Sequence, residues 1–220
     1  LLHGVTGSGK TEVYLRLARE VCGGGRSVLM LVPEIALTSA VTSIFRAAFG
    51  GRVAIQHSGL SDGQRHDQWH RIRRGEVDVV VGTRSGVFAP VADLGLVIVD
   101  EEHDGSYKQE ENPRYHARSV ATVRAQRAGA LVVLGSATPS LESYYHVRRG
   151  RYRCVAMKKR VQERPLPEVD IVDMRAELAA EGPDVVLSRT LREGLCATVE
   201  RGEQALILLN RRGYATGVLC

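Results

Sequence analysis

Gly4-Val5-Thr6-Gly7-Ser8-Gly9-Lys10-Thr11, preceded by Leu1-Leu2-His3, fits the pattern G-x-x-x-x-G-K-[ST]. Its glycines let a backbone wrap closely around a polyphosphate, because that path needs open φ/ψ space and no Cβ in the way. Lys10 supplies a mobile positive charge for the β- and γ-phosphates, and the Thr11 hydroxyl is placed for Mg²⁺. Val5, Thr6 and Ser8 complete the loop. Immediately after it, Val13, Leu17 and Val21, with Tyr14 and Ala18 beside them, recur at helical spacing. The loop therefore opens onto a helix N-terminus, whose free N–H groups favour an anion. A Gly-rich turn with a chance Lys-Thr is the alternative, and the helix that follows weighs against it. The reading implies a bound nucleoside triphosphate.

Outward from that loop, short apolar runs alternate with helical patterns. Strands are expected at Ser27–Val32, Val53–Gln56, Val77–Val81, Leu96–Val99 and Leu131–Leu134. Helices are expected from an N-cap at Thr38 with Val41, Ile44, Phe45 and Ala48 on one face, from a Ser61/Gln64 capping box to about Arg74, over Ala117–Ala128, and from Ser140 to about Arg149. Strands this short and apolar on both faces belong to a parallel sheet covered on both sides by helices. Gly9-Lys10-Thr11, Pro33-Glu34, Thr83-Arg84, Asp100-Glu101 and Ser136-Ala137-Thr138 each follow a strand's C-terminal end. Ligands bind at that rim in open parallel sheets, so the five clusters converge.

Residues 1–150 thus read as one doubly wound nucleotide-binding lobe. Residues 151–168, with Lys158-Lys159-Arg160, read as a linker that either touches phosphate backbone or is simply solvated. Residues 169–220 read as the start of a second lobe, with strands at Val169–Val172 and Ala205–Leu209 and a helix from Ser188 carrying Leu191, Leu195 and Val199.

The 220 residues are 44% hydrophobic, enough for a core, yet no apolar run approaches the ~18 residues of a membrane span. Because Leu1 already lies in a strand-like stretch, no signal peptide is expected before it, and the chain reads as a piece of a longer one. Net charge is +5, a mild excess that fits a nucleic-acid partner without requiring one. Cys22, Cys154, Cys196 and Cys220 are widely spaced, and free thiols are expected for the first three.

The rim clusters supply hydrolytic chemistry. Asp100 is placed to hold the Mg²⁺ shell, and Glu101 to orient or deprotonate a water. His103 and Glu102 either couple this site to other clusters or, for His103, cap a helix. Ser136 and Thr138 offer hydroxyls for a relay between the γ-phosphate and a moving lobe, the alternative being a capping turn. Arg84 bonds either a nucleic-acid phosphate or a neighbouring surface group. The polar stretch Asp104–Arg118 interleaves Tyr107 and Tyr115 with Lys108, Arg114 and Arg118, a pattern suited to stacking on bases and contacting phosphates, or else an ordered surface loop.

These motifs together resemble the superfamily-two DNA helicases, and among them the primosomal protein N′ family of replication-restart helicases. The resemblance is carried by Gly4 to Tyr14, Val32-Pro-Glu-Ile-Ala-Leu-Thr38, His57-Ser-Gly-Leu60, Gly82-Thr-Arg-Ser85, Asp100-Glu-Glu-His-Asp104, Ser106-Tyr-Lys-Gln109, Arg114-Tyr-His-Ala-Arg118, Gly135-Ser-Ala-Thr-Pro139 and Leu209-Asn-Arg-Arg-Gly-Tyr-Ala215. It implies two RecA-like lobes with ATP between them at Gly4–Thr11, Mg²⁺ and water served by Asp100 and Glu101, and a Tyr107–Arg118 loop coupling DNA to the ATPase. It further implies three-prime to five-prime translocation on single-stranded DNA, binding to branched or stalled forks, primosome proteins and single-stranded DNA-binding protein as partners, and a bacterial cytoplasmic location. A fork-binding assembly platform with an idle ATPase is the alternative function. Cys220 falls where the family's zinc-binding insertion begins, which implies Zn²⁺ in the full-length protein. The family's arginine finger would follow Cys220, so this piece is expected to bind ATP but turn it over slowly.

Overall fold

The computed structural model describes residues 1–33, 40–161, 167–183 and 185–208. It divides into two compact units, Leu1–Arg164 and Pro165–Cys220. In the first, seven strands form one sheet in the order β3-β4-β2-β5-β8-β1-β9: β1 (Leu2–Gly4), β2 (Ser27–Leu31), β3 (Val53–Gln56), β4 (Val79–Gly82), β5 (Leu94–Val99), β8 (Leu131–Ser136) and β9 (Val155–Met157). Every neighbouring pair is parallel. A two-stranded antiparallel ribbon, β6 (Lys108–Gln109) with β7 (Tyr115–His116), stands apart from it.

Side chains alternate across the sheet and divide the core in two. Val28, Met30, Val79, Val81, Leu96 and Ile98 face α1 (Lys10–Gly23) and α2 (Ala40–Phe49), meeting Tyr14, Ala18 and Phe45. Leu29, Leu31, Val80, Val97 and Val99 face the other way, towards α4 (Ala117–Ala128). That helix approaches through Ala117, Ala121 and Ala125, all fully buried, a four-residue repeat of small side chains that puts them on one face. Strands with apolar residues on both faces are what a doubly covered sheet requires.

The caps at two helix starts form as read. Around Ser61, the Gln64 N–H donates to Ser61 Oγ at 3.3 Å and the Ser61 N–H donates to Gln64 Oε1 at 3.1 Å, starting α3 (Asp62–Arg73). Ser140 Oγ accepts from Ser143 N at 3.2 Å and starts α5 (Leu141–Arg148). Thr38, the expected cap of α2, lies outside the described residues, as do most of residues 32–38, which carry part of the resemblance.

Three features differ from expectation. Val155–Met157 pairs with β1 as the sheet's edge strand, so the first unit continues past residue 150 into the stretch read as linker. Its Val-Ala-Met is too short to declare itself against the basic residues that follow. Val169–Val172 forms no strand, with Val169 and Ile171 largely exposed. Residues 205–208 likewise form no strand, and Leu206 is 99% exposed. A strand is held by ladder partners and a covered face, and among the described residues these two stretches have neither.

The second unit contains α6 (Met174–Glu181), capped by Asp173, and α7 (Arg189–Glu200), capped by Ser188. Glu177, buried, accepts from Arg189 N at 2.7 Å and ties the start of α7 to α6. The Leu191/Leu195/Val199 spacing does give a helix, but no residue of α7 is buried. No helix among the described residues is long and apolar enough to cross a membrane.

Candidate functional site

The phosphate loop joins β1 to α1. Gly7 (φ 79°) and Gly9 (φ 89°) adopt left-handed conformations that only glycine takes readily. A Cβ on Gly4 would lie 2.5 Å from Ser8 Oγ and 3.2 Å from Lys10 Cγ, so the third glycine is required by space. The loop closes on itself through Ser8 N to Val5 O at 3.0 Å. Lys10 is buried, donating to Gly4 O at 2.9 Å with its Nζ 3.9 Å from Glu101 Oε1. Ser8 Oγ is buried without a hydrogen-bond partner. Buried polar atoms are rarely left unpaired, so a donor or acceptor brought by a ligand would complete this loop. Two loop glycines at positive φ, a lysine and a 14-residue helix N-terminus fit a polyphosphate.

Across the rim, β5 delivers Asp100 and Glu101. Asp100 is bracketed by two buried tyrosines: Tyr14 OH donates to its Oδ1 at 2.8 Å, and Tyr107 OH donates to its backbone carbonyl at 2.6 Å. Burial pushes the Asp100 carboxyl above its usual range, and the bonds from Tyr14 and Glu101 N–H and the charge of Lys10 offset this only partly. Burial, then the neighbouring Asp100 charge, drives the Tyr14 phenol strongly upward, so it stays a donor. Glu101 sits at φ 43°, a conformation uncommon for a residue with a Cβ and seen more often at functional turns.

His103 joins this pair to the Ser-Ala-Thr segment. Its Nδ1 lies 2.8 Å from Ser136 Oγ and 3.7 Å from Glu101 Oε2, and its Nε2 lies 3.3 Å from Thr138 Oγ1. Thr138 N donates to Ser136 Oγ at 2.9 Å. Glu101, His103, Ser136 and Thr138 are therefore one contiguous polar set.

Tyr107, Arg118 and Arg84 are used differently from the stacking and phosphate roles read for them. Tyr107 is fully buried, so its ring is not available to a base; it packs beneath the acid pair instead. Arg118 turns inward to pair with the buried Glu102 and with Ser140 Oγ, which removes it as a phosphate contact. Arg84 donates to the carbonyls of Ser106 (3.3 Å) and Lys108 (2.8 Å), holding the loop rather than a surface carboxylate. Lys108 pairs with Glu110 at 2.7 Å, Arg114 is exposed, and Tyr115 meets Phe88 edge-on with ring centres 5.0 Å apart. A polar cavity of about 270 Å³ opens beside this loop, lined by Gln56, His57, Arg65, Thr83, Arg84 and Tyr115 among others. Gln56 Nε2 is buried and unpaired.

Sequence reasoning missed Tyr14 as a ligand of Asp100, the reach of Arg65 and Gln56 to the rim, and the part played by Gly135. By its spacing Tyr14 is only a helix-face residue. A Cβ on Gly135 would fall 1.7 Å from the Tyr14 hydroxyl, so this glycine makes the room that Tyr14 needs.

Among the described residues, no group of three or more His, Cys, Asp or Glu could hold a metal ion. Cys220, read as a zinc ligand, lies outside them. Cys22, Cys154 and Cys196 are free thiols, as expected.

Residues 1–147 match the family model of the DEAD/DEAH box helicases. The chain belongs to the DEAD/DEAH box helicase family. Such a helicase domain uses nucleotide and Mg²⁺ generally. Over its whole length this helicase-family chain is similar to the replication restart protein PriA of Bacillus subtilis (52% identical, 27% of that protein), Synechocystis (50%, 27%) and Treponema pallidum (47%, 32%). The resemblance read from the motifs is thereby borne out. The chain spans about a quarter to a third of the length of these relatives. Among solved structures, the helicase domain of Pyrococcus furiosus Hef has a TM-score of 0.52 at 20% identity, covering 71% of this chain and 34% of that one. Saccharomyces cerevisiae Dbp5 bound to RNA and ADP BeF3 has a TM-score of 0.50 at 12% identity, covering 71% and 41%. These likenesses bear out the RecA-like parallel sheet.

Proposed function

We propose that this chain is the motor part of an ATP-dependent DNA helicase of replication restart, moving three-prime to five-prime on single-stranded DNA, binding branched or stalled forks and starting primosome assembly. The observation that carries the motor is the approach of two rim clusters: Lys10 Nζ stands 3.9 Å from Glu101 Oε1, beside an Asp100 held by Tyr14. One site thus presents a phosphate cradle, a metal-binding carboxylate and a candidate base.

In this reading Gly4–Thr11 hold the ATP phosphates, with Lys10 released from Gly4 O onto the β/γ-phosphates and Thr11 and Asp100 serving Mg²⁺. Mg²⁺ held there would compensate charge on the phosphate oxygens. Glu101 orients the attacking water and accepts its proton as the water oxygen bonds to the γ-phosphorus and the bridging P–O bond breaks, with ADP as the leaving group; the proton moves on towards His103. Ser136 and Thr138, bonded to that imidazole, carry the change outward. Arg84 bonds the loop's carbonyls, and Lys108, Arg114 and Tyr115 of that loop would meet a single strand, a reading supported by the polar cavity that Arg84 and Tyr115 line.

The remaining parts follow the family resemblance, with the first helicase lobe extended to take in its edge strand Val155–Met157: the connection follows that strand, residues 169–220 are the beginning of the second lobe, and zinc is bound through Cys220 with ligands beyond it. Primosome proteins and single-stranded DNA-binding protein are the partners, in the bacterial cytoplasm. Without an arginine supplied opposite the γ-phosphate, typically worth about 10³–10⁵ in rate, the isolated piece turns over slowly.

The test is ATP hydrolysis by the full-length protein with and without a branched DNA, alongside Lys10→Ala. Stimulation by DNA that vanishes in the variant supports the motor. Tight fork binding without stimulated hydrolysis replaces it with an assembly platform, and absence of DNA binding removes both.

A further inference from the structure

Glu102 is the third residue of Asp100-Glu101-Glu102-His103, and nothing in the hydrolytic reading uses it. It is fully buried and charged, a placement that burial alone disfavours strongly. Its carboxylate accepts from Ser140 N at 2.8 Å, Ser140 Oγ at 3.0 Å, Ser143 Oγ at 2.9 Å and the Arg118 guanidinium. Its backbone N–H donates to Gly135 O at 3.0 Å.

The partners belong to three segments. Glu102 itself follows Glu101 in the acid turn. Ser140 and Ser143 open α5, two and five residues after Thr138. Arg118 is the second residue of α4, where the Asp104–His116 loop ends. The other end of that loop is fixed by Arg84 on the carbonyls of Ser106 and Lys108 and by Tyr107 on that of Asp100. The acid turn, the Ser-Ala-Thr segment and the exit of the loop thus meet on one carboxylate. A contiguous hydrogen-bonded junction of this kind can carry a displacement between sites, provided both sites bias it.

We infer that Glu102 and Arg118 are positioning residues forming the junction through which the nucleotide site and the Asp104–His116 loop sense one another. This rests on the nucleotide-binding reading of the phosphate loop and deepens the coupling proposed above. Neither side chain touches nucleotide or nucleic acid. The pair fixes where Glu101 and Ser136 stand relative to the loop.

The test is amide hydrogen exchange on the full-length protein, with and without Mg²⁺ and the non-hydrolysable analogue AMP-PNP, for wild type, Glu102→Gln, Glu102→Gln/Arg118→Met, and Ile72→Ala as a destabilised control away from the junction. The wild type is expected to show slowed exchange across residues 104–117 on binding nucleotide. Glu102→Gln should reduce that response at least five-fold while nucleotide affinity stays within about three-fold. The double variant, which removes the unpaired guanidinium, should regain melting temperature without regaining the response. Ile72→Ala should lose melting temperature and keep it. A full response in Glu102→Gln, its recovery in the double variant, its loss in Ile72→Ala, or its absence in a nucleotide-bound wild type overturns the inference. Failure of the wild type to bind AMP-PNP overturns it together with the phosphate-loop reading. DNA-stimulated hydrolysis measured in parallel separates the two ideas: a loop response without stimulation supports the junction and removes the DNA motor.

Discussion

Gly135→Ala adds one methyl group at the worst place in the first unit. Its Cβ would stand 1.7 Å from the Tyr14 hydroxyl, where an ordinary contact begins at 3.4 Å. Tyr14 is fully buried against the sheet, so its ring has nowhere to retreat without disturbing close-packed neighbours. Overpacking of this kind costs about 1–3 kcal/mol. A hydroxyl that moves away also lengthens its 2.8 Å bond to Asp100, and losing a hydrogen bond to a charged group costs about 1.5–3 kcal/mol more. The sum, roughly 4 kcal/mol, corresponds to a melting temperature lower by about 8–16 °C for a domain of this size. Thermal unfolding followed by circular dichroism measures it. Tyr14→Phe removes the atom that clashes, leaving the ring carbon Cζ at 2.8 Å as the nearest neighbour. The double variant should therefore be more stable than the two single costs added together imply, by about 1 kcal/mol or more. A Gly135→Ala protein that melts within about 3 °C of wild type, or two costs that simply add, would refute the reasoning.

Other expectations follow from the same geometry. Because burial raises the Asp100 pKa, its contribution to stability is full below the ordinary aspartate value and is lost as pH rises through the raised one; Asp100→Asn should flatten stability across that window in denaturant titrations. Glu102 has the opposite sign. Burial alone would raise its pKa, but bonds from Ser140 N–H, Arg118 and Ser143 together outweigh it and hold the carboxyl below its usual range. Its contribution is present above the ordinary glutamate value and lost as pH falls through the lowered one, so Glu102→Gln should lose most stability near neutrality and least in acid. Arg84→Ala removes both bonds to the loop carbonyls, and limited trypsin digestion should then cut at Lys108 or Arg114 at least several-fold faster, with the melting temperature changed by only a few degrees.

The fold of the first unit was legible because it is written in local chemistry. The phosphate loop, the apolar runs and the Ser61/Gln64 and Ser140 caps each need only a few adjacent residues to declare themselves. The acid pair and the Ser-Ala-Thr cluster could be assigned to one rim because parallel strands all end on the same side. What pairing and burial decide was hidden. Val155–Met157 became a strand only because β1 offered it a ladder, whereas Val169–Val172 and residues 205–208 have none among the described residues. Tyr107 and Arg118 looked like surface groups because their neighbours in sequence are polar. The structure turns one under Asp100 and the other onto Glu102, a choice set by residues as distant as Ser140 and Ser143.

The place of β1 in the sheet has a consequence for the order in which this sheet comes together. Of the seven strands described in this sheet, the earliest in sequence lies between the two latest, with Leu2 paired to Gly135 on one side and to Val155 on the other. Until those distant residues have left the ribosome, β1 has no partner, and the loop it launches has no fixed anchor. β2, β4 and β5 can assemble earlier from nearer segments, leaving an open slot for β1. Closing a sheet across such separations is slow, so nucleotide binding, monitored on nascent chains of increasing length, should switch on only once residues 155–157 are available.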